Sequence, residues 1–248
     1  MSPDNGTLAE LGSTPCFEYA VAMSAAPARD VRLRADAARN RQAIITTARA
    51  LYGQRGLDAP LDEIARLAGV GNATLYRHFP SRCSLVAAVF EDTLRQVSEA
   101  AAQALDNPDP WDGFAGHIRF LCQLQATDRG LADLLTTAVT GAPELEKLRA
   151  AAYDDFVRIA QRAKASGALR ADFVPEDIVL LLMANAGLVH RTAGTAPQAW
   201  NRFIDLALDG LRTAAATPAA RSPDQAAVRR AMRSRGHELG FGSAGIRG

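Results

Sequence analysis

Leu61-Asp-Glu-Ile-Ala-Arg-Leu-Ala-Gly-Val-Gly-Asn-Ala-Thr-Leu-Tyr-Arg-His-Phe-Pro80 is the stretch on which the reading of this chain turns. Pro60 suits the first position of a short helix, Leu61 to Ala68, because its fixed φ matches the helix and its missing N–H is not needed there. Gly69 ends that helix. A second one follows from Asn72 to His78, and Pro80 stops it. Ile64, Ala68, Val70 and Leu75 fall where two crossing helices share a core, Ala65 is small enough for close passage, and Gly69 supplies the positive φ that a tight turn between them needs. This is a helix-turn-helix pattern, whose second helix enters a DNA major groove with its N-terminal residues toward the base edges. The candidate contacts are Asn72, Ala73, Thr74, Tyr76, Arg77 and His78. Asn and Arg match adenine and guanine edges, while Thr, Tyr and His commonly bond phosphates. The spacing alone is shared with two amphipathic helices of an ordinary bundle, so at this point both readings stand.

Working outward, Ile44, Ile45, Ala48, Leu51 and Tyr52 mark one face of a helix near 36–54, closed by Gly53 and Gly56. Ser81 caps a helix running to about Leu105, and Asn107-Pro108-Asp109-Pro110 breaks it. Further helices are expected near 112–126, 129–139, 143–166, 175–193 and 197–213, separated by Thr127-Asp128, Gly141, Gly167 and Gly194-Thr195, with 168–174 a loop. Composition agrees. Alanine makes up about a fifth of the 248 residues, only Lys147 and Lys164 of the 28 basic residues are lysine, and aromatics amount to 6%. Alanine and arginine favour helices and the aromatic shortage disfavours strands, which excludes an all-β protein. An apolar fraction of 48% excludes wholesale disorder. The expected fold is all-α with about nine helices: a three-helix helix-turn-helix domain joined by a long helix to a larger antiparallel bundle. The expected organisation is a disordered N-terminal extension with a basic arm over 1–34, a DNA-binding domain over 35–99, a second domain over 100–213 and a disordered basic tail over 214–248.

The net charge of +1 hides a strong asymmetry: residues 29–82 carry +5, 83–213 carry −5, 214–248 carry +4 and 1–28 carry −3. A basic segment joined to an acidic body suggests a polyanion-binding module attached to something else. Arg32, Arg34, Arg39 and Arg41 precede the first helix stripe and suit an arm contacting phosphates or the minor groove.

Residues 36–99 resemble the N-terminal DNA-binding domain of the TetR family of bacterial transcriptional regulators. The resemblance rests on Ile44-Ile45-x-x-Ala48-x-x-Leu51-Tyr52 with Arg55-Gly56, on Leu61-x-x-Ile64-Ala65-x-x-Ala68-Gly69-Val70, on Thr74-Leu75-Tyr76-Arg77-His78-Phe79-Pro80, and on Leu85 and Val89. It implies a homodimeric repressor, released from a palindromic operator by a small ligand of unknown identity. Many members carry Ser or Thr where Ala59-Pro60 stands, and a phosphate-binding Lys near the position of Arg82; the phosphate role is carried over to Arg82. The second domain resembles one branch of the family more loosely, over 111–212. Family analogy places dimerisation on helices 175–193 and 197–213, and the nearly all-apolar run Ile178 to Val189 suits an interface. A ligand pocket would lie among the helices from 112 to 166, with His117, Gln123, Tyr153, Asn185 and His190 as polar candidates.

The remaining features exclude other classes. Cys16, Cys83 and Cys122 have no ligand or disulfide spacing and read as incidental thiols. Gly240-Phe-Gly-Ser-Ala-Gly245 matches GxGxxG but follows no strand. There is no Ser/His/Asp arrangement and no metal-ligand cluster, so no enzyme, metal or cofactor is expected. The Ile178–Val189 run is too short to span a bilayer, no signal peptide is evident, and a cytoplasmic location without membrane association is expected. Met23-Ser24-Ala25-Ala26-Pro27 reads as the true translational start, which would leave residues 1–22 outside the natural chain.

Overall fold

The computed structural model describes residues 18–139, 141–239 and 241, with side chains from residue 31 onward. Cys16 and most of the Gly240–Gly245 motif lie outside the described residues. The chain divides into two compact units, Met1–Arg41 and Gln42–Gly248. Ten α-helices and a short 3-10 turn make up the described residues: α1 (Glu18–Arg55), α2 (Leu61–Leu67), α3 (Asn72–His78), α4 (Arg82–Asp106), α5 (Pro110–Thr127), α6 (Arg129–Thr136), α7 (Pro143–Ala165), α8 (Glu176–Thr192), α9 (Ala199–Leu211), the 3-10 turn Thr213–Ala215, and α10 (Gln225–Glu238).

The punctuation read from the sequence works by visible bonds. At the head of α4, Ser81 Oγ accepts from the Ser84 N–H (3.1 Å) while Ser84 Oγ accepts from the Ser81 N–H (3.2 Å), a reciprocal cap. Asp109 accepts from the N–H groups of Trp111 (2.7 Å) and Asp112 (3.1 Å), and Pro110 opens α5. Asp128 caps α6 by accepting from the Leu131 N–H at 2.9 Å. Leu169 and Arg212 form an isolated bridge that holds the 168–174 loop against the end of α9.

In the first unit the helix extends well upstream of residue 36. The segment expected to be disordered is helical from Glu18, and Arg32 and Arg34 lie on α1 as exposed residues rather than on an extended arm. Ala20, Ala22, Ala25, Ala26, Ala28, Ala35, Ala37 and Ala38 favour helix without any apolar stripe to announce it, while Pro27 within the segment opposes it.

The second unit holds two apolar cores along α4. One gathers Ile44, Tyr52, Leu57, Ile64, Leu75, Leu85 and Phe90 with Leu131 and Leu134 of α6 and Leu145 of α7. The other gathers Val97, Phe114, Ile118, Phe156, Ile159, Phe173, Ile178, Leu182, Ile204 and Leu208. The long α4 contributes Leu85–Leu94 to the first and Val97–Ala104 to the second, so one rigid rod links the helix-turn-helix to the bundle.

The tail is also not as expected. Residues 225–238 form α10, capped by Asp224, which accepts from the Ala227 N–H at 2.6 Å. Val228 is buried in its interior, and Leu239 and Phe241 join the first core. The Ala138 N–H donates to the Met232 carbonyl at 3.0 Å, and Gly236 packs so tightly that a Cβ there would lie 2.3 Å from the Ala138 carbonyl oxygen. The sequence hides this helix because its packed side is built from few apolar residues and four of its other positions are arginine.

Candidate nucleic-acid interface and interior cavity

The turn between α2 and α3 forms as its glycine demands: Gly69 takes φ +70°, and the Val70 N–H donates to the Ala65 carbonyl at 3.0 Å. Ile64, Ala65 and Leu75 are buried between the two helices. That leaves the opposite side of α3 in solvent. Asn72, Ala73, Tyr76 and Arg77 are exposed, Tyr76 at 48% despite its large ring, and Thr74 is half-buried. Asn72 is steadied by donating from Nδ2 to Asp62 Oδ1 at 3.0 Å, and α2 is tied to α1 by Arg55 and Glu63 at 2.6 Å. His78 differs from its neighbours: it is half-buried, and its Nε2 is buried with no hydrogen-bond partner among the described residues. No side chain caps α2, whose N-cap is Pro60.

Arg82 does not face outward as the carried-over phosphate role requires. Its guanidinium turns in and donates to the carbonyls of Leu57 (2.7 Å) and Ala59 (2.8 Å), bracing the loop that leads into α2. Both acceptors lie more than twenty residues away in sequence, so no local pattern signals this. Arg49, which the sequence reading passed over, does similar work: it donates to the Val89 carbonyl and Thr93 Oγ1, both at 2.8 Å, and lies 3.6 Å from Asp128 at the cap of α6.

A half-open cavity of about 550 Å³ lies in the second unit, walled by α4–α8 and by α10. His117 and Tyr153 line it. His117 is 3% exposed and stacks on Phe156 at 6.4 Å, and its Nδ1 has no hydrogen-bond partner among the described residues. Burial holds its pKa down to about 4, so the imidazole is neutral at physiological pH. Tyr153 donates to Glu176 at 3.4 Å; burial and the Glu176 charge raise its phenol pKa. The other three polar candidates are elsewhere. Gln123 and His190 are exposed. Asn185 is fully buried in a polar pair that ties α8 to α5, donating to Gln125 Oε1 (2.9 Å) and the Cys122 carbonyl (3.3 Å), while Gln125 donates to the Leu182 carbonyl at 3.2 Å. Arg149 also lines the cavity and was not anticipated. The signal was available: Arg149, Tyr153 and Phe156 stand at i, i+4 and i+7, one stripe of α7.

The α6 helix touches both regions. Leu135 and the following Val139 line the cavity. Five residues before Leu135, Gly130 packs against α1 and α4 so closely that a Cβ would lie 2.8 Å from Tyr52 Cβ and 2.9 Å from Phe90 Cζ. Asp133 accepts from the Leu57 N–H at 2.9 Å, in the same loop that Arg82 braces.

Comparison with known proteins agrees with this architecture. Residues 44–89 match the family described as bacterial regulatory proteins, tetR family, and residues 109–213 match the C-terminal domain described as transcriptional regulator SbtR-like. The chain is 27% identical over 169 residues to the HTH-type transcriptional repressor BepR of Brucella suis biovar 1 (strain 1330), spanning 63% of this chain and 81% of the relative. It is 33% identical to a TetR transcription regulatory protein of known structure from Mycobacterium vanbaalenii, covering 73% of this chain and 99% of that one, with a TM-score of 0.42. A TetR family regulator from Agrobacterium tumefaciens shares the fold at a TM-score of 0.53 with 19% identity, covering 70% of this chain and 97% of that one. The chain belongs to the TetR family: it is a DNA-binding transcriptional regulator built as an all-α protein. Family members bind operator DNA, dimerise and bind small-molecule effectors. No helix among the described residues is long and apolar enough to cross a membrane.

Proposed function

We propose that this protein is a cytoplasmic repressor whose α3 reads a palindromic operator and whose interior cavity takes the small molecule that releases it, working by binding alone and without catalysis. The observation that carries the proposal is the placement of α6, which walls the cavity at one end and is wedged against α1 and α4, the helices that flank the helix-turn-helix, at the other. A ligand that pushes Leu135 and Val139 outward moves Gly130 and Asp133 with them. Asp133 then drags the Leu57 loop that aims α2 and α3. In a dimer, such a tilt changes the separation of the two recognition helices, which must match about 34–36 Å, one helical turn of DNA.

Exposed Asn72, Tyr76 and Arg77, with Ala73 and Thr74 between them, are the groups that meet the major groove. Arg32 and Arg34 add phosphate contacts from α1. His117 and Tyr153 are the ligand-facing polar groups of the cavity. Dimerisation through α8 and α9 is supported by their uncovered apolar residues: Leu180 (40% exposed) with Ala184 and Gly187 on α8, and Leu206 (54% exposed) with Gly210 on α9. A monomer that leaves leucines and glycines in such a stripe is suited to close helix–helix contact across a two-fold axis.

The test is binding-site selection with the full-length protein, followed by gel shift on the selected sequence. A palindrome bound with two chains per site is expected, and Arg77→Ala should weaken it. Recovery of a non-palindromic sequence, or full-strength binding by Arg77→Ala, refutes the assignment of α3.

A further inference from the structure

The cavity has a polarity that narrows what it accepts. Its inner wall is apolar, formed by Leu94, Val97, Leu121, Phe156, Ile178 and Leu182. Along α7 the lining runs from Phe156 through Tyr153 to Arg149, seven residues or about 10 Å at the helical rise of 1.5 Å. At the Arg149 end the wall is completed by α10, whose Val228 and Met232 close the apolar surface while Arg229 and Arg233, one turn apart, stand exposed at the mouth. Helix α10 lies beyond residue 213, where the match to the family's C-terminal domain ends.

Six charged groups line this space: Arg149, Arg229 and Arg233, against Glu146, Asp154 and Glu176. The acids and the arginines are not equally available. Glu146 Oε1 accepts from the Gly141 N–H at 3.1 Å, Glu176 Oε1 accepts from the Tyr153 hydroxyl at 3.4 Å, and Asp154 is exposed. Arg149 is half-buried and uses one nitrogen, donating to the Thr137 carbonyl at 2.6 Å; no carboxylate lies within ion-pair distance of it among the described residues. Arg229 and Arg233 likewise have no hydrogen bond or ion pair among the described residues. Burial lowers the Arg149 pKa only to about 10, so it remains a cation at neutral pH. Glu146 acts on Arg149 only from beyond ion-pair distance, so a half-buried guanidinium with spare donors gains from an anion that reaches it directly.

Resting on the reading of this cavity as the effector site, we propose that the effector is an amphipathic organic anion whose apolar body lies along Phe156 and whose carboxylate or comparable head is held by Arg149, under a clamp formed by Arg229 and Arg233 of α10. The C-terminal helix thereby becomes part of the ligand site. An anion drawing α10 toward α7 also pulls on the Met232–Ala138 bond and on Gly236, which lies against the Ala138 carbonyl just beyond α6.

The test uses isothermal titration of the full-length protein with alkyl chains of six to twelve carbons and with naphthalene, each carried as the carboxylate, the primary amide and the amine. At least one carboxylate should bind about tenfold or more tightly than its own amide. Arg149→Gln should remove that preference, and the Arg229→Gln/Arg233→Gln double variant, which alters only exposed side chains, should reduce it about threefold or more. If every carboxylate binds no better than its amide, or if an amine binds best, the anion proposal is overturned. In those cases, a neutral or cationic probe that still releases operator DNA would leave the effector cavity itself standing. A preference that survives the α10 double variant unchanged removes α10 from the site.

Discussion

Replacing Gly130 with alanine adds one methyl group at the contact of α6 with α1 and α4. That Cβ would sit 2.8 Å from Tyr52 Cβ, 2.9 Å from Phe90 Cζ and 3.0 Å from the Tyr52 carbonyl oxygen. Two of the three obstacles belong to the backbone or first side-chain carbon of α1, so a rotamer change relieves only the Phe90 contact. The remaining relief is to slide α6 away from α1. Overpacking of this kind costs roughly 1–3 kcal/mol. Alanine returns at most about 1 kcal/mol in helix propensity, and less at the second residue of a helix. The net loss is about 1–2 kcal/mol, or about 2–8 °C in Tm for a chain of this size at fixed protein concentration. Because the forced displacement follows the path proposed for the effector, operator affinity should fall more than the loss of stability explains. Gly116→Ala is the control: it lies exposed within α5 with nothing within 4 Å of its Cβ, and should gain roughly 0.5–1 kcal/mol. Urea and thermal melts of both variants, with gel shifts below the melting range, measure this. A Gly130→Ala protein as stable as the parent refutes the wedge, and one that is less stable but binds operator normally refutes α6 as the lever.

Four further outcomes are expected. Arg77→Ala should lose roughly 1–3 kcal/mol of operator affinity with its melt unchanged; Arg82→Ala should instead lower stability by roughly 1.5–3 kcal/mol, since its two carbonyl bonds are charge-assisted, and gel shifts beside urea melts separate the two. The His117 pKa is depressed to about 4 from 6.5, so between those values the unfolded chain binds a proton that the folded chain refuses; stability should therefore fall by roughly 3 kcal/mol as pH drops from 6.5 to 4, and His117→Gln should flatten that interval in melts taken across it, an unchanged profile being the contrary result. Leu206→Asp places a charge on the exposed apolar face of α9 and should shift sedimentation from dimer to monomer at micromolar concentration. Arg32→Ala with Arg34→Ala should lower the salt dependence of operator binding, and an unchanged slope counts against phosphate contacts from α1.

Legibility differed between the elements. Helices α2 and α3 were fully readable because everything that makes them is local: a 3.6-residue period, a glycine at positive φ, a proline stop. The start of α4 was readable for the same reason, since Ser81 caps within three residues of itself; α5 begins two residues before the expected 112, on the Asp109 cap, and α6 ends at Thr136 rather than 139. The expectation failed where local signals conflicted with what packing does. Arg82 has the same chemistry whether it meets a phosphate or two carbonyls, and only the fold brings Leu57 and Ala59 to it. Asn185 looked like a pocket group because it is polar in an apolar helix, yet its Nδ2 donates across the bundle to Gln125 and the Cys122 carbonyl. In α10, four arginines and a few small apolar residues read as a solvated tail until Ala138, Gly236 and the cavity wall are seen together.

The sequence by itself therefore determined the all-α class, the helix-turn-helix and the family, because each rests on patterns that repeat within a turn or two of helix. Tertiary structure alone decided that α6 runs from the cavity to α1 and α4, that Arg82 braces the Leu57–Ala59 loop, and that α10 completes the cavity wall near Arg149. Those outcomes depend on complementarity between segments 20 to 100 residues apart. Such matching leaves little trace in a local period, because either partner alone is an ordinary glycine, arginine or alanine.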